Sequence, residues 1–352
     1  MFVHDSLPMR VVFGTGALDR VADEVDRLGL RRVLVLSTPR QGALADRVTG
    51  LLGERAAGTY DGARMHVPVA TVAAAREVAE ELGADGCLAI GGGSTIGLAK
   101  ALSLRLGLPS VVVPTTYAGS EMTTVWGLTE DGRKTTGRDP VVLPRSVVYD
   151  PELTYGLPPA VSGPSGLNAI AHAVEALYAP DGTPVVSAMA ERGVRDLAAA
   201  LPLVVADGSD GAARSLALEG AWLCGACLGA TTMGLHHKLC HALGGMLDLP
   251  HAETHAIVLP HVAAFNLPAV PEADAALRRA LGVDDVPGAL RSLADRVGVP
   301  DGLRALGVAH EDLARVADEV LAAPYRNPVP PTRADLERIL EAAWQGSGPE
   351  LS

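Results

Sequence analysis

Four short aliphatic runs, RRVLVLST (31–38), GCLAIGG (86–92), SVVVPT (110–115) and SVVYD (146–150), recur across the first 150 residues and end on Gly, Pro, Thr or Asp. Between them lie segments such as VADEVDRLG and VAAAREVAEELG, whose apolar residues fall at helical spacing. Strands alternating with helices predict β-α-β units and a largely parallel sheet. Near LPPAVSGPSG (157–166) the texture changes, and from Leu167 onward almost every segment reads as helix. The chain is therefore expected to divide at a Pro/Gly hinge. An α/β domain, Rossmann-like with a mostly parallel sheet, would cover residues 1–160, and an all-α domain 161–352. A length of 352 residues suits two cores better than one.

Aromatic residues make up only 3% of the chain, so Ala, Leu and Val must build the core. A formal net charge of −12 argues against nucleic acid as a partner, because phosphate backbones call for clustered Lys and Arg. No apolar run has the length of a membrane span, and MFVHDSLPMRVVFG does not read as a signal peptide. A cytoplasmic location with reduced thiols is the expectation. Of the four cysteines, Cys87, Cys224, Cys227 and Cys240, the pair in WLCGAC has C-x-x-C spacing. Its small, apolar surroundings favour packing in a buried helix over a redox or zinc motif.

The run CLAIGGGSTIGLAKALSL (87–104) reads as strand, glycine turn and helix. Gly91, Gly92 and Gly93 permit close approach of a ligand to the backbone. Ser94 and Thr95 open a helix whose free N–H groups favour an anion. The turn is neither a G-x-G-x-x-G fingerprint, since Ile96 holds the sixth position, nor a Walker loop; alone it fits a phosphate site or a tight turn equally. The loop PTTYAGSEMTT (114–124) adds Thr115, Thr116, Ser120 and Thr123 after the next strand, where open α/β sheets bind ligands. Thr38 ends an earlier strand, in a segment (Ser37, Thr38, Pro39, Arg40) with no carboxylate to repel a 2′-phosphate. NADH and NADPH are both admissible there.

The helical half holds the histidines. GLHHKLCHALGGMLDLPHAETHAIVLPH (234–261) contains His236, His237, His241, His251, His255 and His261. Upstream, Asn168 and His172 are four apart, as are His237 and His241, and His251 and His255, so each pair shares a helix face. Such a set suits a metal site, acid/base chemistry or a crowded core.

Taken together, AIGGGSTIGLAKA, VPTTYAGSEMT, GRKTTGRDP, SGLNAIAHAVEA, GLHHKLCHALGG, LPHAETHAIVLPH and YRNPVP resemble the iron-containing alcohol dehydrogenase family, and within it the maleylacetate reductase subgroup. The resemblance implies a dehydroquinate synthase-like fold, a nicotinamide cofactor, a homodimer, and reduction of a conjugated C=C bond in a dicarboxylate. Metal-dependent relatives hold iron or zinc with one aspartate and three histidines. Mapped by motif, the histidines are His172, His237 and His251, and the aspartate's place is taken by Asn168. Losing that charge predicts weak metal binding and a reaction that does not need the ion. The resemblance puts His241 near the nicotinamide, with His255 beside the substrate. Lys238, His236 and Arg326 are candidates for the substrate carboxylates. A metal-dependent alcohol or aldehyde reductase is the alternative, as is recruitment of the scaffold to a non-redox biosynthetic step.

Overall fold

The computed structural model describes residues 2–4, 6–130 and 133–349, in two compact units. One spans Ser6–Leu157 and the other begins at Pro158. Phe2, Val3 and His4 group with the second unit, not with the α/β domain where the sequence puts them, and His4 Nδ1 lies 3.2 Å from Thr183 Oγ1 there.

The first unit is an α/β sandwich. Six parallel strands, β1 (Arg10–Phe13), β2 (Val33–Leu36), β3 (Ala56–Tyr60), β4 (Gly86–Gly91), β5 (Ser110–Pro114) and β8 (Ser146–Tyr149), pair in the order β1-β8-β5-β4-β2-β3. A separate antiparallel hairpin joins β6 (Val125–Glu130) to β7 (Arg133–Arg138). β2, β4, β5 and β8 are buried along their whole length, which is why they read as unbroken aliphatic runs. Alternate residues still serve different layers. Leu34, Leu36, Ala89 and Val112 pack with Val72, Ala75, Ala99 and Leu102 on helices α3 (Val69–Glu81) and α4 (Gly93–Leu106). Val33, Val35, Leu88 and Ile90 pack with Val21 and Val25 of α1 (Val21–Arg27) and with Val48 and Leu52 of α2 (Gly42–Leu52). The chain moves outward from β2 to β3, then returns to lay β4 on the other flank of β2. That reversal is the switch point at which open parallel sheets bind ligands.

The second unit is helical. α5 (Pro159–Leu177) is buried from Ser162 to Ala176 and packs on α6 (Pro184–Ala206), α7 (Gly211–Ala230) and α9 (His251–Asn266). α8 (Leu235–Leu247) lies against α9, and α10 to α13 (Pro271–Leu281, Val286–Arg296, Asp312–Leu321, Arg333–Gln345) complete the unit. α6 and α7 touch backbone to backbone: a Cβ on Gly220 would stand 3.0 Å from the Gly193 carbonyl, and one on Gly193 would stand 2.7 Å from Cys224 Sγ. The C-x-x-C pair is thus part of a helix crossing, with Cys224 and Cys227 free and buried. Among the described residues, no single helix is long and apolar enough to cross a membrane.

Candidate active site

Loops at the carboxyl ends of β2, β4 and β5 form a cradle. Gly91 has φ 149°, and a Cβ there would lie 2.6 Å from both Gln41 Oε1 and Thr95 Oγ1. Gly92 caps α4, and a Cβ on it would meet Thr116 at 2.9 Å. Gly93 differs, because a Cβ at that position meets nothing within 4 Å. Its missing side chain leaves room that the protein does not fill, over the N-terminus of a 14-residue helix. The hydroxyls of Ser37, Thr95 and Thr116 are buried without a hydrogen-bond partner. Buried polar groups are seldom left so, and a pyrophosphate with its ribose would supply both the volume and the acceptors. Ser94 is half-buried at the same helix start. Gln41 ties the rim together, donating from Nε2 to Thr115 Oγ1 at 3.0 Å and accepting from Thr38 Oγ1 at 3.2 Å. Nothing in PRQGAL marks this residue in the sequence.

Thr123, expected to face the cofactor, braces the loop instead. Its Oγ1 accepts from Lys100 Nζ at 2.8 Å and donates to the Ser120 carbonyl at 3.1 Å. Lys100 also donates to the carbonyls of Ser120 and Val125, at 2.6 and 2.7 Å. Burial lowers the pKa of its ammonium to about 7, partly opposed by the nearby Glu121. The loop's position therefore rests on a buried lysine with three acceptors.

In the helical unit, α5 carries Asn168, His172 and Glu175 along one face, four and three residues apart, and the first turn of α8 pushes His237 between the last two. His237 Nδ1 lies 2.7 Å from Glu175 Oε2, and His237 Nε2 lies 2.9 Å from His172 Nδ1. Asn168 Nδ2 then meets His172 Nε2 at 3.3 Å. A carboxylate can only accept, so with neutral rings every bond has one direction. His237 Nδ1–H donates to Glu175, His172 Nδ1–H donates to His237, and the Asn168 amide donates to His172. Glu175 also accepts backbone N–H bonds from Gly234, His236 and His237, at 2.9, 2.8 and 3.3 Å. It thereby caps α8. Its spacing from His172 was the available clue, but a lone glutamate in a helix ordinarily reads as a solvated residue.

His255 is the hub of the cluster. Its ring centroid lies 4.2 Å from His251, 4.8 Å from His236, 5.0 Å from His237, 6.3 Å from His172 and 6.5 Å from His241. His236, expected to hold substrate, is fully buried and serves His255, with Nε2 3.0 Å from His255 Nδ1. Burial, then the neighbouring histidines, pushes the pKa values of both rings well below the usual range, so both are neutral near pH 7. His255 Nε2 and His236 Nδ1 are buried without partners, as is Asn168 Oδ1. His241 and His251 are exposed and stack at 6.3 Å. Lys238 is half-buried on α8. Exposed Arg326 helps line a cavity of about 360 Å³ with Glu175, Tyr178, Thr232 and Tyr325.

Of the residues mapped from the family as metal ligands, Asn168, His172 and His237 lie in contact in a row. The nitrogens of His172 and His237 that face each other are joined by a hydrogen bond, and Asn168 turns its amide donor to His172. Among the described residues, the His, Cys, Asp or Glu donors that gather within 4.8 Å of one another are His236, Cys240 and His255, not His172, His237 and His251. The 3.0 Å contact between His236 and His255 is itself a hydrogen bond.

Residues 8–151 match the iron-containing alcohol dehydrogenase family, and residues 163–344 match the C-terminal domain of the Fe-containing alcohol dehydrogenase family. The chain belongs to the iron-containing alcohol dehydrogenase family. Within it, the chain is 56% identical to a maleylacetate reductase of Sphingobium indicum and 53% identical to one of Burkholderia cepacia, each match covering 99% of both chains. The crystal structure of maleylacetate reductase from Agrobacterium tumefaciens superposes with a TM-score of 0.96 at 49% identity, again over 99% of both chains.

Proposed function

We propose that the chain reduces the carbon–carbon double bond of maleylacetate, or of a substituted analogue, to 3-oxoadipate, in the breakdown of aromatic compounds. The observation that carries this reading is full-length identity of 50–56% to several maleylacetate reductases. NADH or NADPH supplies the hydride when bound at the glycine turn. Gly91, Gly92 and Gly93 would admit the pyrophosphate, Thr95, Thr115 and Thr116 would hold it, and the β2 end offers no acid against a 2′-phosphate.

Hydride addition at the carbon β to the ketone leaves an enolate, and the residues of the helical unit answer that charge. When His236 Nε2–H donates to His255 Nδ1, His255 keeps a proton on Nε2, the nitrogen without a partner. A neutral imidazole N–H is then presented to the enolate oxygen, and its depressed pKa lets it act as a donor without first being charged. His241, exposed on α8, delivers the proton to the α carbon. Arg326 and Lys238 bind the substrate carboxylates.

The reaction needs no divalent ion, a reading supported by the Asn168–His172 contact and by the hydrogen bond that joins the two mapped ligands. The enzyme works as a homodimer in the cytoplasm. Chelated protein mixed with maleylacetate and NADH should lose absorbance at the nicotinamide band. No turnover with either cofactor would overturn the function, and turnover that only iron or zinc restores would overturn the metal-free reading.

A further inference from the structure

We propose that Glu175 is a positioning residue that sets the proton direction of the whole Glu175–His237–His172–Asn168 relay, a role that rests on the reading of the histidine cluster around His255, which His237 adjoins at 5.0 Å between ring centroids, as the site of the proposed reaction.

Three observations carry it. Glu175 has no exposed side-chain surface, and its carboxylate stands 2.7 Å from His237 Nδ1. Because this end of the relay can only accept, it assigns hydrogen to Nδ1 of His237 and, through His237 Nε2, to Nδ1 of His172. Free imidazole in water favours hydrogen on Nε2, so two successive Nδ1–H rings are an imposed state. Finally, Gly234 admits the carboxylate at close range: a Cβ there would lie 3.1 Å from Glu175 Oε1 and 3.0 Å from Asn327 Oδ1. The consequence reaches the far end of the relay. His172 Nε2 becomes an acceptor, Asn168 turns its amide nitrogen inward, and Asn168 Oδ1 is the oxygen left without a partner.

The two carboxylate oxygens have unequal duties, and this makes the proposal testable. Oε2 receives Gly234 N–H, His237 N–H and His237 Nδ1–H, whereas Oε1 receives His236 N–H. In Glu175→Gln the side-chain carbonyl belongs where three donors converge, and the amide NH₂ falls on the single-donor side. Glutamine therefore preserves the relay's direction, and Glu175→Met removes the acceptor altogether.

The experiment is a long-range ¹H–¹⁵N spectrum of histidine-labelled full-length protein at neutral pH, read alongside kcat and KM. Wild type and Glu175→Gln should show His237 and His172 as Nδ1–H tautomers, and glutamine should retain kcat within ~10-fold of wild type. Glu175→Met should return His237 to Nε2–H and lower kcat by roughly 10²-fold or more, with NADH affinity unchanged. A role confined to capping α8 would lower melting temperature in the methionine variant without moving the tautomer. Wild-type Nε2–H rings overturn the proposal, even if the methionine variant fails to fold. So does a glutamine variant as slow as methionine. The spectra need no substrate, so failure of this proposal is distinguishable from failure of the assigned reaction.

Discussion

The side-chain amide of Asn168 points its nitrogen at Nε2 of His172, 3.3 Å away. An aspartate at that position would set a carboxylate against a nitrogen that is already an acceptor, and a proton or a metal cation between them relieves the conflict. Asn168→Asp is therefore expected to tighten binding of Zn²⁺ or Fe²⁺ by ~10-fold or more. Elemental analysis after dialysis against each ion checks this; equal metal content in variant and wild type would show that His172 is not oriented as described.

Gly93→Ala separates fold from cofactor. The added methyl meets no protein atom within 4 Å, and alanine is a better helix former than glycine by up to about 1 kcal/mol. The melting temperature should hold or rise, and NADH should bind about tenfold more weakly as its pyrophosphate is pushed from the helix N–H groups. Fluorescence titration and thermal unfolding together test the pair of outcomes. A variant with unchanged NADH affinity would show that the turn does not hold the cofactor.

Lys100 gives stability a pH dependence of definite sign. Its folded pKa of about 7 lies below the ordinary 10.5. Between those values the unfolded chain binds more protons, so this residue makes stability rise with pH from about 7 toward 10.5, by at most about 1.4 kcal/mol per unit. Denaturant melts of wild type and Lys100→Met at pH 7, 8 and 9 should diverge in that direction. Parallel curves would refute the lysine's part. Glu121, whose buried carboxyl has a raised pKa, pushes the other way, and because the Lys100 charge opposes that rise, Lys100→Met strengthens the Glu121 effect and widens the divergence.

Acid should act through buried imidazoles. Burial, with Arg291 nearby, lowers the pKa of His261 to about 4, against 6.5 in the unfolded chain. Stability from this residue is full above 6.5 and is lost as pH falls from 6.5 through 4. His236 and His255 act in the same direction. Replacing His261 with leucine should flatten the decline in melting temperature between pH 6.5 and 5. An equally steep decline would assign the acid sensitivity elsewhere.

The sheet was legible because its inner strands are buried on both faces and so appear as aliphatic runs broken by helices. The cradle was legible because glycine and hydroxyl residues sit together at strand ends. Thr123 was misread because its hydroxyl is consumed by Lys100, a partner 23 residues away. Gln41 and Glu175 escaped notice for a related reason. Each works through a contact with a distant segment, Thr115 or the first turn of α8, that no local spacing encodes. The histidines announced themselves as a group, but which ring serves which depended on how α8 and α9 pack.

The helix crossing that hides Cys224 has a chemical consequence. Maleylacetate is an electrophilic alkene, and thiolates add readily to such compounds. All four cysteines are buried, and burial raises the pKa of every one, to about 12 for Cys87 and Cys227 and well above the ordinary value for Cys224 and Cys240. Even Cys240, one turn along α8 from His236, keeps its proton, held there by burial and by the charge of Glu175. A catalyst built this way can meet its reactive substrate through many turnovers without being alkylated by it.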